Sequence, residues 1–519
     1  MTRVRTVLPL LTVAAAALIT VSCGDDTPEP PDGSASSGAF DPPMLACTPG
    51  EALGCLCIDG RAGTQLCAPN GHELGGCECD GGGSTPDDTT GGDGDTEGDT
   101  EGDTDDGPTG AGGLCGNGVI DDDEQCDDGN TRYDDACNNS CISECGLTWE
   151  VAIGEPDDGS FGLAAAVSPD NSIVVLGSVE TDRGAQLWLG RYDAEGTELS
   201  SVPLADGLGV EPGAVAVDGD GNVLVVGTVG APGTRDIWVR LYDDAGALTW
   251  SDTHDGTDSG DDAGVGATFD ADGNAIVTGT VRDADADTDL WVRKYDTSGQ
   301  PMWTETYGGP GNGTFSLDTG GAVTTDADGN IFAQLEVYVN FDERDVHLIK
   351  FAPGGGAPQW DVAPFAGGDS DEHSWAGVAN DANGNVVMGF NNGAVTSGWR
   401  FWVMKFDTDG NEIWQADTDT TELGLRHRLN ALGVSDSGDI GLVLTLDQER
   451  GDWAAVNATL REDGTIACSS TTSVPLGAII PAGGVVGSAG QIYATGFVSE
   501  NGMSQQRWLA RFRGAAAQR

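Results

Sequence analysis

Positive charge is what this chain has least of. Lys+Arg number 23, only three of them lysines, against 85 Asp+Glu, for a formal net charge of -62 over 519 residues. Such a field repels nucleic acid and anionic membrane surfaces, and no basic stripe overrides it, so nucleic-acid binding is excluded. Catalytic signatures are scarce as well. The five histidines are His72, His254, His347, His373 and His427, and none belongs to an H-E-x-x-H string. No G-x-S-x-G elbow stands between a strand and a helix. Paired carboxylates, which a glycosidase needs, follow from composition alone in so acidic a chain and carry no information.

What is present begins at the N-terminus. Two arginines precede an apolar run from Val7 to Val21, which ends on Ser22-Cys23. The layout is that of a secretory signal, too short for a comfortable membrane span and without a basic stop behind it. It resembles a bacterial lipoprotein signal, in which residues 1–22 are removed and Cys23 is lipidated. Thr20 departs from the aliphatic residue usual in such signals. The resemblance implies export to the outer membrane or cell surface, with the membrane reached through the lipid. A tether at 23–46 follows.

Setting Cys23 aside leaves 12 of the 13 cysteines, an even number that suits an oxidising compartment. Six of them (Cys47, Cys55, Cys57, Cys67, Cys77, Cys79) fall within residues 47–79. That stretch is too short and glycine-rich to bury a core, so disulfides rather than zinc are expected to hold it. Residues 80–114 are almost wholly Gly, Asp, Thr, Glu and Pro, a composition that stays extended by self-repulsion and supplies reach. Residues 115–145 then carry Cys115, Cys126, Cys137, Cys141 and Cys145. The run C-G-N-G, then E-Q-C-D-D-G-N, then C-x3-C resembles the cysteine-rich repeats of myxobacterial surface proteins, in which four cysteines form the unit. Cys145 is extra to that pattern. Together with the isolated Cys468 it is a candidate for a bridge between module and following domain, if the two come within disulfide reach.

From 146 onward a unit recurs. Its mark is a W-x3-[YF] pair at Trp188/Tyr192, Trp238/Tyr242, Trp291/Tyr295, Trp402/Phe406 and Trp508/Phe512, with His347/Phe351 in the same slots. Trp453 marks the remaining unit, with Asn457 where the second aromatic belongs. These anchors lie 50, 53, 56, 55, 51 and 55 residues apart. Each unit reads as four short strands: a small apolar strand, a D-x-D-G-N type turn, a second apolar strand, the anchor strand, and a fourth carrying Trp250, Trp303, Trp360 or Trp414. The pattern predicts an all-β, seven-bladed β-propeller of four-stranded antiparallel blades over 146–519. The seventh unit ends without a fourth strand, while L-T-W-E-V at 147–151 repeats the L-T-W of 248–250, so an N-terminal strand is expected to close the ring. The units also resemble propeller repeats of bacterial and archaeal surface lipoproteins, a likeness that implies architecture and no chemistry. The sialidase turn S-x-D-x-G-x-T-W and the glycine-tryptophan repeat of quinone-dependent propellers are not found.

The anchor aromatics read as inter-blade core. The D-x-D-G-N turns invite calcium, but Asp caps and a glycine at positive φ explain them without it, and no cofactor is expected. Variation concentrates in the segments entering each inner strand. One holds Asp258, Asp261 and Asp262; another Asp369, Asp371, Glu372, His373 and Trp375; the sixth Arg426, His427 and Arg428, the only dense basic cluster. Asp261, Asp262, His373, Trp375, Arg426, His427 and Arg428 are therefore the candidate ligand residues, suited to an anionic or zwitterionic ligand. Ion pairing of the triplet with nearby carboxylates is the plainer alternative. The expected function is a non-catalytic cell-surface recognition or adhesion lipoprotein with a surface glycan or protein as ligand. A polysaccharide-active hydrolase or lyase and a structural envelope protein are the alternatives.

Overall fold

The computed structural model describes residues 52–56, 62–66, 78–79 and 145–514. The last range excludes 155–160, 183, 257–259, 284–286, 310–316, 341–342, 365–371, 395–397, 418–425, 448–452, 473–476 and 501–503. The signal, Cys23, the tether, the acidic linker, the 115–144 cysteines and all cysteine pairing within 47–79 lie outside the described residues. One unit spans residues 19–110. In it Ala52–Leu56, Ala62–Leu66 and Glu78–Cys79 form a three-stranded antiparallel sheet. Among the described residues no helix is long and apolar enough to cross a membrane.

In the other unit the strands form seven antiparallel four-stranded blades of a β-propeller. Blades 4 and 5 are joined by one parallel bridge, Arg344 to Glu372. The ring closes as expected. Blade 7 consists of Gly477–Val486, Ile492–Glu500 and Ser504–Phe512, completed by Leu147–Ile153 from the other end of the domain. Pairing of the two chain ends removes the open edge that a linear sheet would leave.

The aromatic pair is structural, and the packing shows why. In each blade the anchor face lies against the opposite face of the preceding blade. Trp291 and Tyr295 of blade 3 pack with Val226, Val239 and Leu241 of blade 2. Trp250, on blade 2's outer strand, stacks on Tyr295 at 5.2 Å between ring centroids. Blade 6 corrects the sequence alignment. There Val456 and Leu460 occupy the anchor registers, opposite Leu444 and Ile440, just as Trp238 and Tyr242 stand opposite Gly227 and Val223. Trp453 lies three residues earlier and is 38% exposed, and Asn457 faces the other side of the sheet.

A second repeated contact clasps the blades at the face that carries the third-to-fourth-strand turns. Trp149, Trp250, Trp303, Trp360 and Trp414 each cover the turn glycine of the next blade. Four of their indole N–H groups donate to a turn carbonyl: Trp149 to Ala194 (2.9 Å), Trp303 to Pro353 (3.0 Å), Trp360 to Thr408 (3.2 Å) and Trp414 to Glu462 (2.9 Å). The chain's three lysines serve the same seams. Lys294 and Lys350 donate to the Pro353 and Thr408 carbonyls, and Lys405 approaches the Glu462 carboxylate. The seam between blades 1 and 2 has no indole, because Ser200 holds the tryptophan's register opposite Arg191.

Two glycines measure the clasp. Gly246 and Gly299 share φ near +82°, but only at Gly299 would a Cβ meet an indole, 2.5 Å from Trp250 Cγ. Gly246→Ala should cost about 1–2 kcal/mol for the left-handed backbone alone. Gly299→Ala should cost a further ~1–2 kcal/mol for displacing the ring. Urea unfolding of the two variants side by side measures the difference.

Near the axis the blades are tied by side chains that bond the first or second strand of the next blade. Thr278 donates to the Gly321 carbonyl (2.7 Å), Gln334 to that of Gly389 (3.0 Å), and Asn430 to that of Pro481 (3.0 Å). Every inner strand carries a β-bulge at the same level, and in blades 5, 6 and 7 the bulged residues are Ala376, Asn430 and Ala482. The bulge bends the strand and re-aims one side chain per blade.

Candidate functional site

The sequence candidates do not converge. Asp261 accepts hydrogen bonds from the Gly233 and Arg235 amides at 2.6 and 3.2 Å. Asp262 is 1% exposed, and its carboxylate accepts from the Gly256 amide at 2.5 Å and the Arg282 amide at 2.8 Å. Burial raises its pKa, against the lowering by those two amides. Both carboxyl oxygens of Asp262 and Oδ1 of Asp261 are thus bonded to backbone amides, and the two residues fasten the entry to blade 3. Asp258, Asp369 and Asp371 lie outside the described residues, as does the side chain of His373, whose backbone pairs with Asn392.

The basic triplet separates because Arg426 stands before the strand, while strand alternation turns His427 and Arg428 to opposite faces. Arg426 precedes the strand, exposed, at φ 78°. His427 is buried at 5% exposure. Of the three only Arg428 lines a cavity, which Trp375 lines as well. The cavity, about 20 Å³, is walled by the inner strands of blades 5, 6 and 7 through Trp375, Ala376, Arg428, Leu429, Asn430 and Ala482, with Asn391 behind them. That volume holds about one water, so it is a niche for the tip of a ligand and not for a sugar ring. Burial pulls the Arg428 guanidinium down to about 10, which leaves it charged at neutral pH.

Two residues that shape the niche were missed from sequence. Asn391, 1% exposed, accepts from the Leu429 amide at 2.7 Å and donates to the Leu429 carbonyl at 2.9 Å. Asn430 donates to Pro481 and accepts from Thr445 Oγ1 at 2.8 Å. Their amides are spent on holding the strand that presents Arg428. In sequence they read as ordinary strand polar residues. Elsewhere, between blades 3 and 4, burial and then Asp287, Asp318 and Asp283 push Asp289 up to about 6.

The D-x-D-G-N turns are saturated from within. In the first, Asp218 Oδ1 accepts from the Asp220 and Asn222 amides at 2.9 and 2.8 Å, and Oδ2 from Asn222 Nδ2 at 2.7 Å. The turns of blades 3 and 5 add an ammonium, Lys294 to Asp270 (2.7 Å) and Lys405 to Asp381 (2.8 Å). A cation would have to displace those donors. Among the described residues no group of three or more His, Cys, Asp or Glu is placed to hold a metal ion.

No protein-family model matches the sequence, and no curated protein matches it. Solved structures do resemble it in shape. An ulvan lyase of polysaccharide lyase family PL25, bound to -[GlcA(1-4)Rha3S]-, shares 12% identity over 71% of this chain and 96% of its own, with a TM-score of 0.46. A puromycin hydrolase shares 13% over 70% of this chain and 54% of its own, with a TM-score of 0.45. Drosophila plexin A, in complex with semaphorin 1b, shares 10% over 71% of this chain and 87% of its own, with a TM-score of 0.40. At these values the likeness is one of fold and transfers no activity. The expectation of a non-catalytic recognition or adhesion protein and the lean against catalysis are not kept, because a propeller without an obvious catalytic string is no ground for a non-enzyme. Polysaccharide lyases and a hydrolase stand among the solved structures of similar shape.

Proposed function

We propose that this chain is an exported polysaccharide-active enzyme, a hydrolase or lyase, that grips an acidic glycan at the axial niche. The observation that carries the reading is that Arg428 and Trp375, from adjoining inner strands, line the same niche. An indole offers an apolar face to a sugar ring, and a guanidinium matches a carboxylate or sulfate in a bidentate fork. The niche admits the acidic group while the chain lies across its mouth. The N-terminal features fit the same picture: a lipid on Cys23 anchors the protein, disulfide-rich modules and the acidic segment space it from the membrane, and the propeller meets polymer outside the cell.

The test is turnover on a panel of uronate-rich, sulfated and neutral polysaccharides. New reducing ends report cleavage of either kind, and the ultraviolet absorbance of an unsaturated uronate singles out a lyase. Cleavage confined to acidic polymers is expected. Folded protein that shortens none of them would overturn the proposal.

A further inference from the structure

The seam between blades 6 and 7 lacks the tryptophan clasp for a topological reason. Blade 7 takes its third and fourth strands from opposite ends of the domain, so no turn joins them. Arg513 and Gly146 imitate one. The Arg513 amide donates to the Gly146 carbonyl at 3.1 Å, as the Asp296 amide donates to the Gln300 carbonyl at 2.9 Å in a genuine turn. Cys145 therefore occupies the place of the turn glycine. Cys468, opposite Thr459, occupies the register that Trp250 holds opposite Leu241. A disulfide joins the two. It stands where an indole-on-glycine contact stands at five other seams.

The surrounding side chains are adapted to this bond. The Cys145 carbonyl accepts from Asn457 Nδ2 at 2.8 Å, and the single Ser470 hydroxyl proton is shared between that carbonyl (2.8 Å) and Asn457 Oδ1 (2.7 Å). Thr459 Oγ1 lies 3.6 Å from Cys145 Sγ. Asn457 fills a position that is Val239 or Val292 in blades 2 and 3, and it is the residue that reads as a failed aromatic in the sequence. The bond lies at the last point before the closing strand, whose hold on blade 7 is a single ladder from Leu147 to Ile153.

We propose that Cys145–Cys468 is a mechanical latch. Tension on the chain preceding Cys145 passes through the disulfide into blade 6 and never reaches the closing strand. Without the bond, the same tension acts directly on Leu147 and peels the ladder pair by pair, opening the ring. The bond also encloses a loop with a sequence separation of 323. That loop cannot lengthen while the bond is intact.

The experiment holds the full chain at its two ends in optical tweezers and compares the oxidised protein with two variants. Cys145→Ser/Cys468→Ser removes the bond. Cys145→Gly/Cys468→Trp replaces it with the noncovalent clasp of the other seams, and it is pulled instead if the serine pair fails to fold. The oxidised protein should show no early step and should withhold roughly 1,100 Å of extension that the variants release, at about 3.4 Å per residue. The variants should lengthen first by roughly 30 Å, as residues 145–153 come away, before the main rupture. Variants that rupture in one event at the wild-type force, or an early step in the oxidised protein, would overturn the latch.

Discussion

Lys405→Met should lower the stability of the propeller by about 3–5 kcal/mol, the cost of stripping one partner from a buried ion pair. The Lys405 and Asp381 side chains are 3% and 2% exposed, with Nζ and Oδ2 2.8 Å apart. Removing the ammonium leaves a carboxylate that cannot reach water. The Asn383 amide (2.8 Å), the Asn385 amide (2.9 Å) and Asn385 Nδ2 (2.8 Å) still donate to it, which places the loss toward the lower end of that range. Adding Asp381→Asn should recover part of the loss, because the pair and its desolvation cost then vanish together. The pH dependence follows. Burial works to raise the Asp381 pKa, but hydrogen bonds from Lys405 and Asn385 outweigh it and hold the group below 3.8. A depressed carboxyl contributes stability that is complete above its unfolded pKa and is lost as pH falls through the folded one. The contribution of this pair should therefore persist until the pH falls below 3.8, and Lys405→Met, which loses it, should unfold at higher pH than the wild type. Urea melts across a pH series measure both effects.

Arg428→Ala should cost roughly 30- to 160-fold in kcat/KM on an acidic polymer while leaving the fold intact. A charge-assisted hydrogen bond contributes about 2–3 kcal/mol, and each 1.36 kcal/mol is a factor of about ten. Arg428→Lys should recover little of it, since an ammonium keeps the charge but loses the planar fork. Trp375→Ala should weaken binding of acidic and neutral chains alike, because stacking reads the ring and not its charge. Asp262→Asn, outside the niche, should leave the kinetics unchanged while loosening the entry to blade 3. Equal losses from Arg428→Ala on every polymer would detach this residue from recognition of the acidic group.

Most of the fold was legible in the sequence because a repeated unit repeats its errors rarely. Five aromatic pairs, a recurrent Asp-Gly-Asn turn and a missing last strand matched by an orphan first one leave few other closures. Blade 6 was misread because its anchors are Val456 and Leu460, aliphatic residues that no aromatic pattern finds, while the exposed Trp453 offered a false register. The lysines carried no visible signal. Their meaning lies in register, each one residue before the second anchor at Tyr295, Phe351 and Phe406, where it reaches the next blade. The site was less legible for a physical reason. Sequence proximity grouped Arg426, His427 and Arg428, but Arg426 precedes the strand, alternation sends His427 and Arg428 to opposite faces, and the niche is completed by residues from blades 5 and 7. Asp262 looked like a ligand because a carboxylate bonded to backbone amides has the same letter as one facing solvent.

The ring is not equally fastened all the way round. Five seams carry an indole, one a disulfide, and the seam between blades 1 and 2 neither, since Ser200 faces a turn glycine, Gly246, with nothing within 4 Å of where its Cβ would be. At that face Arg191 pairs with Asp244 at 2.6 Å, with Asp244 67% exposed, and donates to the Gly221 carbonyl at 3.3 Å, an ion pair of little net worth in water beside one long hydrogen bond. A closed annulus has no end from which to fray, so its softest joint sets how it deforms. This one should ovalise about the blade 1–blade 2 joint, widening the axis there while the opposite arc, blades 5 to 7 with the niche, keeps its shape.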